Sequence, residues 1–233
     1  MGLFSGNWTL EHFIEWGIWA LCLMFALSIH EVSHGRMADR LGDDTARRLG
    51  RLTMNPFAHL DWFGLLLILV GAPILWAKPV PVNTARMTRG KSYKSNMVKV
   101  AVAGAAANLI VAFIALVIQQ VIILLATPEV MFFPGVPFVM MFLLSTLVAI
   151  NLNLAIFNLL PIPPLDGFKV FGALLPERIY NRILQYERQI GLGLLIVIVV
   201  APKILGTILA TIRWPILWLM QQPINLIASL IYG

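Results

Sequence analysis

Charge is what this sequence has least of. Only 12% of its 233 residues are Asp, Glu, Lys or Arg, where a soluble domain carries about a quarter. Hydrophobic residues make up 59%. There is too little polar surface to keep such a chain in water, so a soluble fold is excluded. Cysteine is nearly absent. Cys22 is the single one, which rules out an internal disulfide framework and a thiolate metal cluster. It lies within an apolar run and reads as a buried thiol. Basic residues are missing from the start, since no Lys or Arg precedes Arg36 and Glu11 and Glu15 come before the first apolar run. A cleavable signal needs a basic N-terminal region, so the first segment is expected to persist. Internal repeats, low-complexity tracts and polar stretches long enough for a soluble domain are also lacking.

Long apolar runs take their place. A bilayer-crossing helix needs about 20 apolar residues, and runs at about 13–34, 97–126, 137–160, 190–211 and 214–231 qualify. A sixth run, 62–76, is short and carries Gly64, Gly71 and Pro73. The net charge of +6 sits in loops between these runs, which points to membrane topology and away from nucleic acid. Arg36, Arg40, Arg47, Arg48 and Arg51 follow the first run. Lys78, Arg86, Arg89, Lys91, Lys94 and Lys99 follow the short one. The C-terminal end of the first run is therefore expected on the cytoplasmic side, with the chain a multi-pass protein of the cell membrane. Basic loops on both sides of 62–76 disfavour a full span there. The sequence predicts an all-α polytopic membrane protein of about five or six transmembrane helices, with a short re-entrant or β-containing insertion at 62–76.

Polar chemistry is concentrated in a few places. The first run ends in His30-Glu31-Val32-Ser33-His34. Histidines at i and i+4 share one helix face and can hold one metal ion. Neutral imidazole is a good zinc ligand. Glu31, rotated about 100° from His30, stands beside such an ion, where a general base for its water belongs. Ionisable groups at membrane depth cost at least ~2.5 kcal/mol on insertion scales, and persist when paired, metal-bound or facing water. At ~1.5 Å per residue, His30 lies about 25 Å along the helix from Phe13. In a hydrocarbon core ~30 Å thick, that puts the motif inside the bilayer near its cytoplasmic face.

A catalytic zinc site takes three protein ligands, so one more is needed. His59 and Asp61 lie on the expected side and read chiefly as polar anchors at a segment boundary. Asp166, in Asn158-Leu159-Leu160-Pro161-Ile162-Pro163-Pro164-Leu165-Asp166-Gly167, follows another run at the same expected depth. The prolines break the helix and free the backbone to present a carboxylate. Spacing alone leaves open whether Asp166 is a ligand or an N-cap for the next helix.

HEVSHG late in a membrane helix, with NLLPIPPLDG far downstream, resembles the site-2 protease family of intramembrane zinc metalloproteases. Gly50-Arg51-Leu52-Thr53-Met54-Asn55-Pro56 and Ala77-Lys78-Pro79-Val80-Pro81-Val82-Asn83 resemble its compact subgroup, which lacks PDZ and CBS domains. The resemblance covers roughly His30 to Gly167. It implies one Zn2+ held by His30, His34 and Asp166, Glu31 as catalytic acid/base, and Asn158 as a group that positions substrate or steadies an oxyanion. Two departures stand out. Ala105 replaces a proline in Ala103-Gly104-Ala105-Ala106-Ala107-Asn108, and Trp62 stands where a proline is common. Neither touches the metal site.

The resulting expectation is one integral-membrane domain spanning 1–233, with a catalytic core at about 12–185 and C-terminal helices at about 189–231. It hydrolyses peptide bonds in or near transmembrane segments of protein substrates. A substrate helix must unwind to be cut, and 62–76 with the AKPVPVN stretch could pair with it as an added strand. The partners are a transmembrane protein substrate and the lipid bilayer, with homo-oligomerisation undetermined. The alternatives are a membrane metal-binding or transport protein and an inactive scaffold.

Overall fold

The computed structural model describes residues 9–59, 78–125 and 136–232. The run at 62–76, with Asp61 and Trp62, lies outside the described residues, so the expected insertion is not addressed. The long helices are α1 (Leu10–Arg40), α3 (Tyr93–Leu125), α4 (Val136–Asn158) and α8 (Pro202–Tyr232). Shorter ones are α2 (Thr45–Arg48), α5 (Asp166–Gly172), α6 (Glu177–Leu184) and α7 (Glu187–Val200). Among the described residues there is no β-strand. Among the described residues four helices are long and apolar enough to cross a membrane, and α6 with α7, bent by 60°, makes a fifth candidate. The chain is an all-α, multi-pass membrane protein.

Helix ends obey local chemistry. At the start of α1, Thr9 and His12 form a reciprocal capping box, satisfying amides left free by helix geometry. At its end, the Leu41 amide returns to Met37 and Ala38. Gly42 then adopts φ 111°, a conformation that side chains with a Cβ resist. Asp43, fully buried, anchors the next turn by accepting from the amides of Thr45 at 3.1 Å and Asn83 at 2.5 Å.

The bundle core is α1, α3 and α4. On α3 the buried face is Ala101, Gly104, Ala105, Asn108, Ala112 and Ala115. Small residues at helical spacing let backbones approach closely, which drives packing where lipid removes the hydrophobic incentive. The hydrogen bonds fix the register. Val100 faces His34, while Asn108 reaches both Ala26 and Asn151. Nearer the other end, Gln119 bonds Ser145 at 2.7 Å. So α3 runs antiparallel to α1 and to α4. Large apolar residues such as Leu21, Phe25, Ile110 and Ile114 are exposed, as a lipid-facing surface requires.

The C-terminal helices break at a different place than the runs suggest. The boundary is at Ala201–Pro202, and α8 continues through Pro215 and Pro223. Pro202 opens a helix, where its missing N–H costs nothing. The two interior prolines are tolerated as in other membrane helices, and near Pro223 the Gln222 side-chain Nε2 donates to the Trp218 carbonyl at 3.2 Å. Leu205 and Leu209 pack near Phe157 and Leu165. Ile216, Leu217 and Met220 pack near Leu144, Val148 and Leu152. Helix α8 therefore runs antiparallel to α4.

Candidate metal centre

Two helices supply the candidate ligands. His30 and His34 project from one face of α1, and Asp166 opens α5. Chain reversal after α4 brings the carboxylate in. The Leu159–Leu165 turn folds back so tightly that a Cβ on Gly167 would overlap the Leu159 and Leu160 carbonyls. A glycine after Asp166 is thus required for α5 to dock against the end of α4. Asp166 does not cap the helix from outside; it is the first helical residue.

Asp166 Oδ2 lies 3.2 Å from His30 Nε2 and 2.8 Å from His34 Nε2, and the two Nε2 atoms are 3.0 Å apart. All three residues are buried. Their outer atoms are committed elsewhere. His30 Nδ1 lies 2.7 Å from Asn108 Oδ1, and His34 Nδ1 lies 2.6 Å from the Val100 carbonyl. The Asn108 amide nitrogen donates to Ala26 O at 3.0 Å and Asn151 Oδ1 at 2.8 Å, so its oxygen is the atom facing His30. Both Nδ1 atoms must therefore donate, leaving both Nε2 lone pairs pointed inward with a carboxylate oxygen. Three electron-pair donors converge where a cation belongs. Ligand atoms of a tetrahedral zinc site, each ~2.0–2.1 Å from the metal, stand about 3.3 Å apart, so the donor set fits that ion.

The surrounding contacts hold this arrangement. Lys169 Nζ donates to Asp166 Oδ1 at 2.9 Å, leaving Oδ2 for the histidines. Gly104 passes directly over the imidazoles. A Cβ there would stand 2.5 Å from His34 Nε2 and 2.7 Å from His30 Cε1. Glu31 is beside the triad and not within it, accepting the Val80 amide at 2.7 Å on Oε2. That bond lays Pro79-Val80-Pro81 against the site. It also uses an N–H that strand pairing with a substrate would have needed.

The remaining sequence candidates divide. Asn158 lines the same cavity but bonds back to Leu154 O in its own helix at 2.9 Å, with no hydrogen bond to the triad. His59 is buried and serves the loop, with Nε2 2.8 Å from Thr53 O and its carbonyl accepting from the Lys78 amide. The support given by Asn108, Asn151 and Lys169 is not evident from the sequence motifs. Asn108 closes the Ala103–Asn108 motif, and for Asn151 the available signal is an amide placed within an apolar run.

Triad, Glu31 and Asn158 open on one cavity of about 650 Å3. Its walls include Leu23, Leu27 and Ile150 as well as polar groups, which suits an apolar peptide. A candidate metal site with a carboxylate beside it and outside the donor set, buried in a membrane bundle and open to such a cavity, defines a membrane-embedded metallohydrolase.

Comparison with known proteins agrees. The model of "Peptidase family M50" matches residues 135–201, the stretch that carries Asp166. "Putative zinc metalloprotease YwhC" of Bacillus subtilis (strain 168) is 36% identical over 205 residues, covering 84% of either chain. "Putative zinc metalloprotease Rip2" of Mycobacterium tuberculosis (strain ATCC 25618 / H37Rv) is 30% identical over 197 residues, 82% of this chain and 70% of that one. No solved structure matches. The chain belongs to Peptidase family M50, the site-2 proteases, and is an intramembrane zinc metallopeptidase acting on membrane proteins. The transport reading is not favoured.

Proposed function

We propose that His30, His34 and Asp166 hold a single zinc ion and that Glu31 is the acid/base group of peptide-bond hydrolysis. The observation that carries this reading is the convergence of three unprotonated donor atoms, with both imidazole tautomers fixed from behind. Zinc at that point would supply Lewis acidity. The protein's own groups do the rest. Glu31 accepts a proton from the attacking water as its oxygen bonds to the scissile carbonyl carbon. It then delivers that proton to the amide nitrogen as the C–N bond breaks. Asn158 is placed to meet substrate from the cavity wall, and to act on an oxyanion its amide must first leave Leu154 O.

The single domain spans the chain, with the core at about 12–185 and the C-terminal helices closing one wall of the cavity. The site faces the cytoplasmic side of the cell membrane. Supporting this, the α1 and α3 ends nearest the triad adjoin the basic stretch of Arg47, Arg48, Arg51, Arg86, Arg89, Lys91 and Lys94, which the positive-inside rule assigns to the cytoplasm.

The test is Glu31→Gln. The purified variant should bind zinc like the parent and yield no cleavage of a reconstituted transmembrane substrate. Cleavage persisting at the parental rate would remove Glu31 from the mechanism.

A further inference from the structure

Arg213 is the one charged residue in the middle of α8. It lies 11 residues from Pro202, about 16 Å along the helix at ~1.5 Å per residue. Apolar packing flanks it on both sides, with Leu205 and Leu209 before it and Ile216 and Leu217 after it. The side chain does not run along the helix to the surface. It turns inward, where Nη1 lies 3.4 Å from Asn153 Oδ1, and it lines the same cavity as His30, Glu31 and Asp166.

That contact is long for a hydrogen bond, whose usual N–H···O distance is ~2.9–3.0 Å, and it is the one polar contact of Arg213 among the described residues. A guanidinium has five donors in a planar fork. Arg213 is half-buried and lines the cavity, and a single long contact leaves most of those donors without a protein partner. The nearby carboxylates are engaged, Asp166 by the histidines and Lys169 and Glu31 by Val80. A permanent cation at this depth without a counter-charge is costly, and an anion arriving in the cavity would relieve that cost.

We propose that Arg213 is a specificity determinant that recognises a carboxylate carried by the substrate's membrane segment. This rests on the protease reading above and names the substrate class it favours. A planar guanidinium fork at the wall of a largely apolar cavity matches a carboxylate bidentately. Lipid phosphate is the competing anion, and holding the lipid constant across each acidic and neutral peptide pair separates it from the substrate carboxylate. The carboxylate comes from an Asp or Glu side chain or from a chain terminus.

The test reads binding in the Glu31→Gln background, which separates it from catalysis. The full-length protein is placed in discs of zwitterionic lipid. Fluorescent transmembrane peptides are titrated in, with Asp or Asn scanned across the segment. A second pair carries a free or an amidated C-terminus at matched depth. At one or more positions the acidic member should bind about tenfold tighter or better, as expected for a charge-assisted, desolvated pair. Side-chain and terminal sources are told apart by which pair shows the gain. Arg213→Gln should bring the ratio to about one. Arg213→Lys, which keeps the charge and loses the fork, should keep only part of it. Arg213→Glu should reverse it in favour of a Lys-bearing peptide. Zinc content and monodispersity identify folded variants, and Arg213→Lys decides if the others fail to fold. An acidic-to-neutral ratio within twofold at every position overturns the proposal, as does an equal ratio in parent and Arg213→Lys. Loss of the protease reading shows separately, as absence of Glu31-dependent cleavage in the parent protein.

Discussion

Gly104→Ala adds one methyl group to the protein, and the structure gives its consequence a size. The new Cβ would stand 2.5 Å from His34 Nε2, where ordinary contact begins at 3.4 Å. Either α3 or the imidazoles must therefore move by about 0.9 Å. Metal–ligand distances hold to within about ±0.2 Å, so the required shift exceeds what coordination absorbs by roughly fourfold. Both imidazoles of the proposed site are affected at once, since the same Cβ is 2.7 Å from His30 Cε1. Disturbing the support of one ligand costs about 10–100-fold in metal affinity. With two ligands displaced the loss should be at least about 100-fold, or roughly 2.7 kcal/mol at 1.36 kcal/mol per decade. Helix propensity works in the opposite direction, because alanine is favoured over glycine in a helix interior by ~0.5–1 kcal/mol. The metal-free variant should therefore stay folded while binding zinc poorly, a combination that general misfolding does not produce. The assay is zinc competition against a chromophoric chelator, paired with thermal unfolding of the metal-free protein. Gly17→Ala is the control, since nothing lies within 4 Å of its Cβ. Zinc affinity of Gly104→Ala within about threefold of the parent would refute the packing argument.

The same contacts set three further outcomes. Asn108→Ala leaves His30 Nδ1, Ala26 O and Asn151 Oδ1 without their partner and should weaken zinc binding about 10–100-fold, measured by the same competition. Asn158→Ala should leave zinc affinity unchanged and lower substrate turnover, because Asn158 lines the cavity and makes no hydrogen bond to the triad; a parallel loss of zinc would place it among the structural supports. The third concerns acid sensitivity. The Arg48 hydrogen bond, with the charges of Arg48 and Arg86, holds the Asp44 carboxyl below its ordinary range. A lowered folded-state value means its contribution is present above the unfolded value of ~3.9 and fades as pH falls through the folded one. Asp44→Asn should narrow the stability gap between pH 7 and pH 3, read from unfolding midpoints at the two pH values. An unchanged gap would mean these surface ion pairs contribute nothing measurable.

Much of the site is legible in the residue order, because the membrane makes polar residues informative. His30, Glu31 and His34 stand out since an apolar helix gives them no ordinary reason to be there, and i, i+4 spacing needs only helix geometry to place two imidazoles together. Asp166 is different. It is 136 residues from His30 in sequence, and only the antiparallel course of α4 and the Gly167 fold-back bring its Oδ2 to 3.2 Å from that imidazole. The C-terminal helices are the least legible. Arg213-Trp214-Pro215 reads as a break between two runs, yet a membrane helix can pass through such a proline when its neighbours cover the backbone.

The sequence by itself determined the solvent, the helical class, the basic side and the shared face of His30 and His34, because each depends on composition or on contacts within one helix. Tertiary structure alone decided how those residues are supported. Asn108 and Val100 set the imidazole tautomers, Gly104 makes room for the rings, Val80 holds Glu31, and Arg213 turns towards the same cavity. Each of these joins residues 49 or more positions apart, and which distant residues meet is fixed by helix packing, not by local spacing.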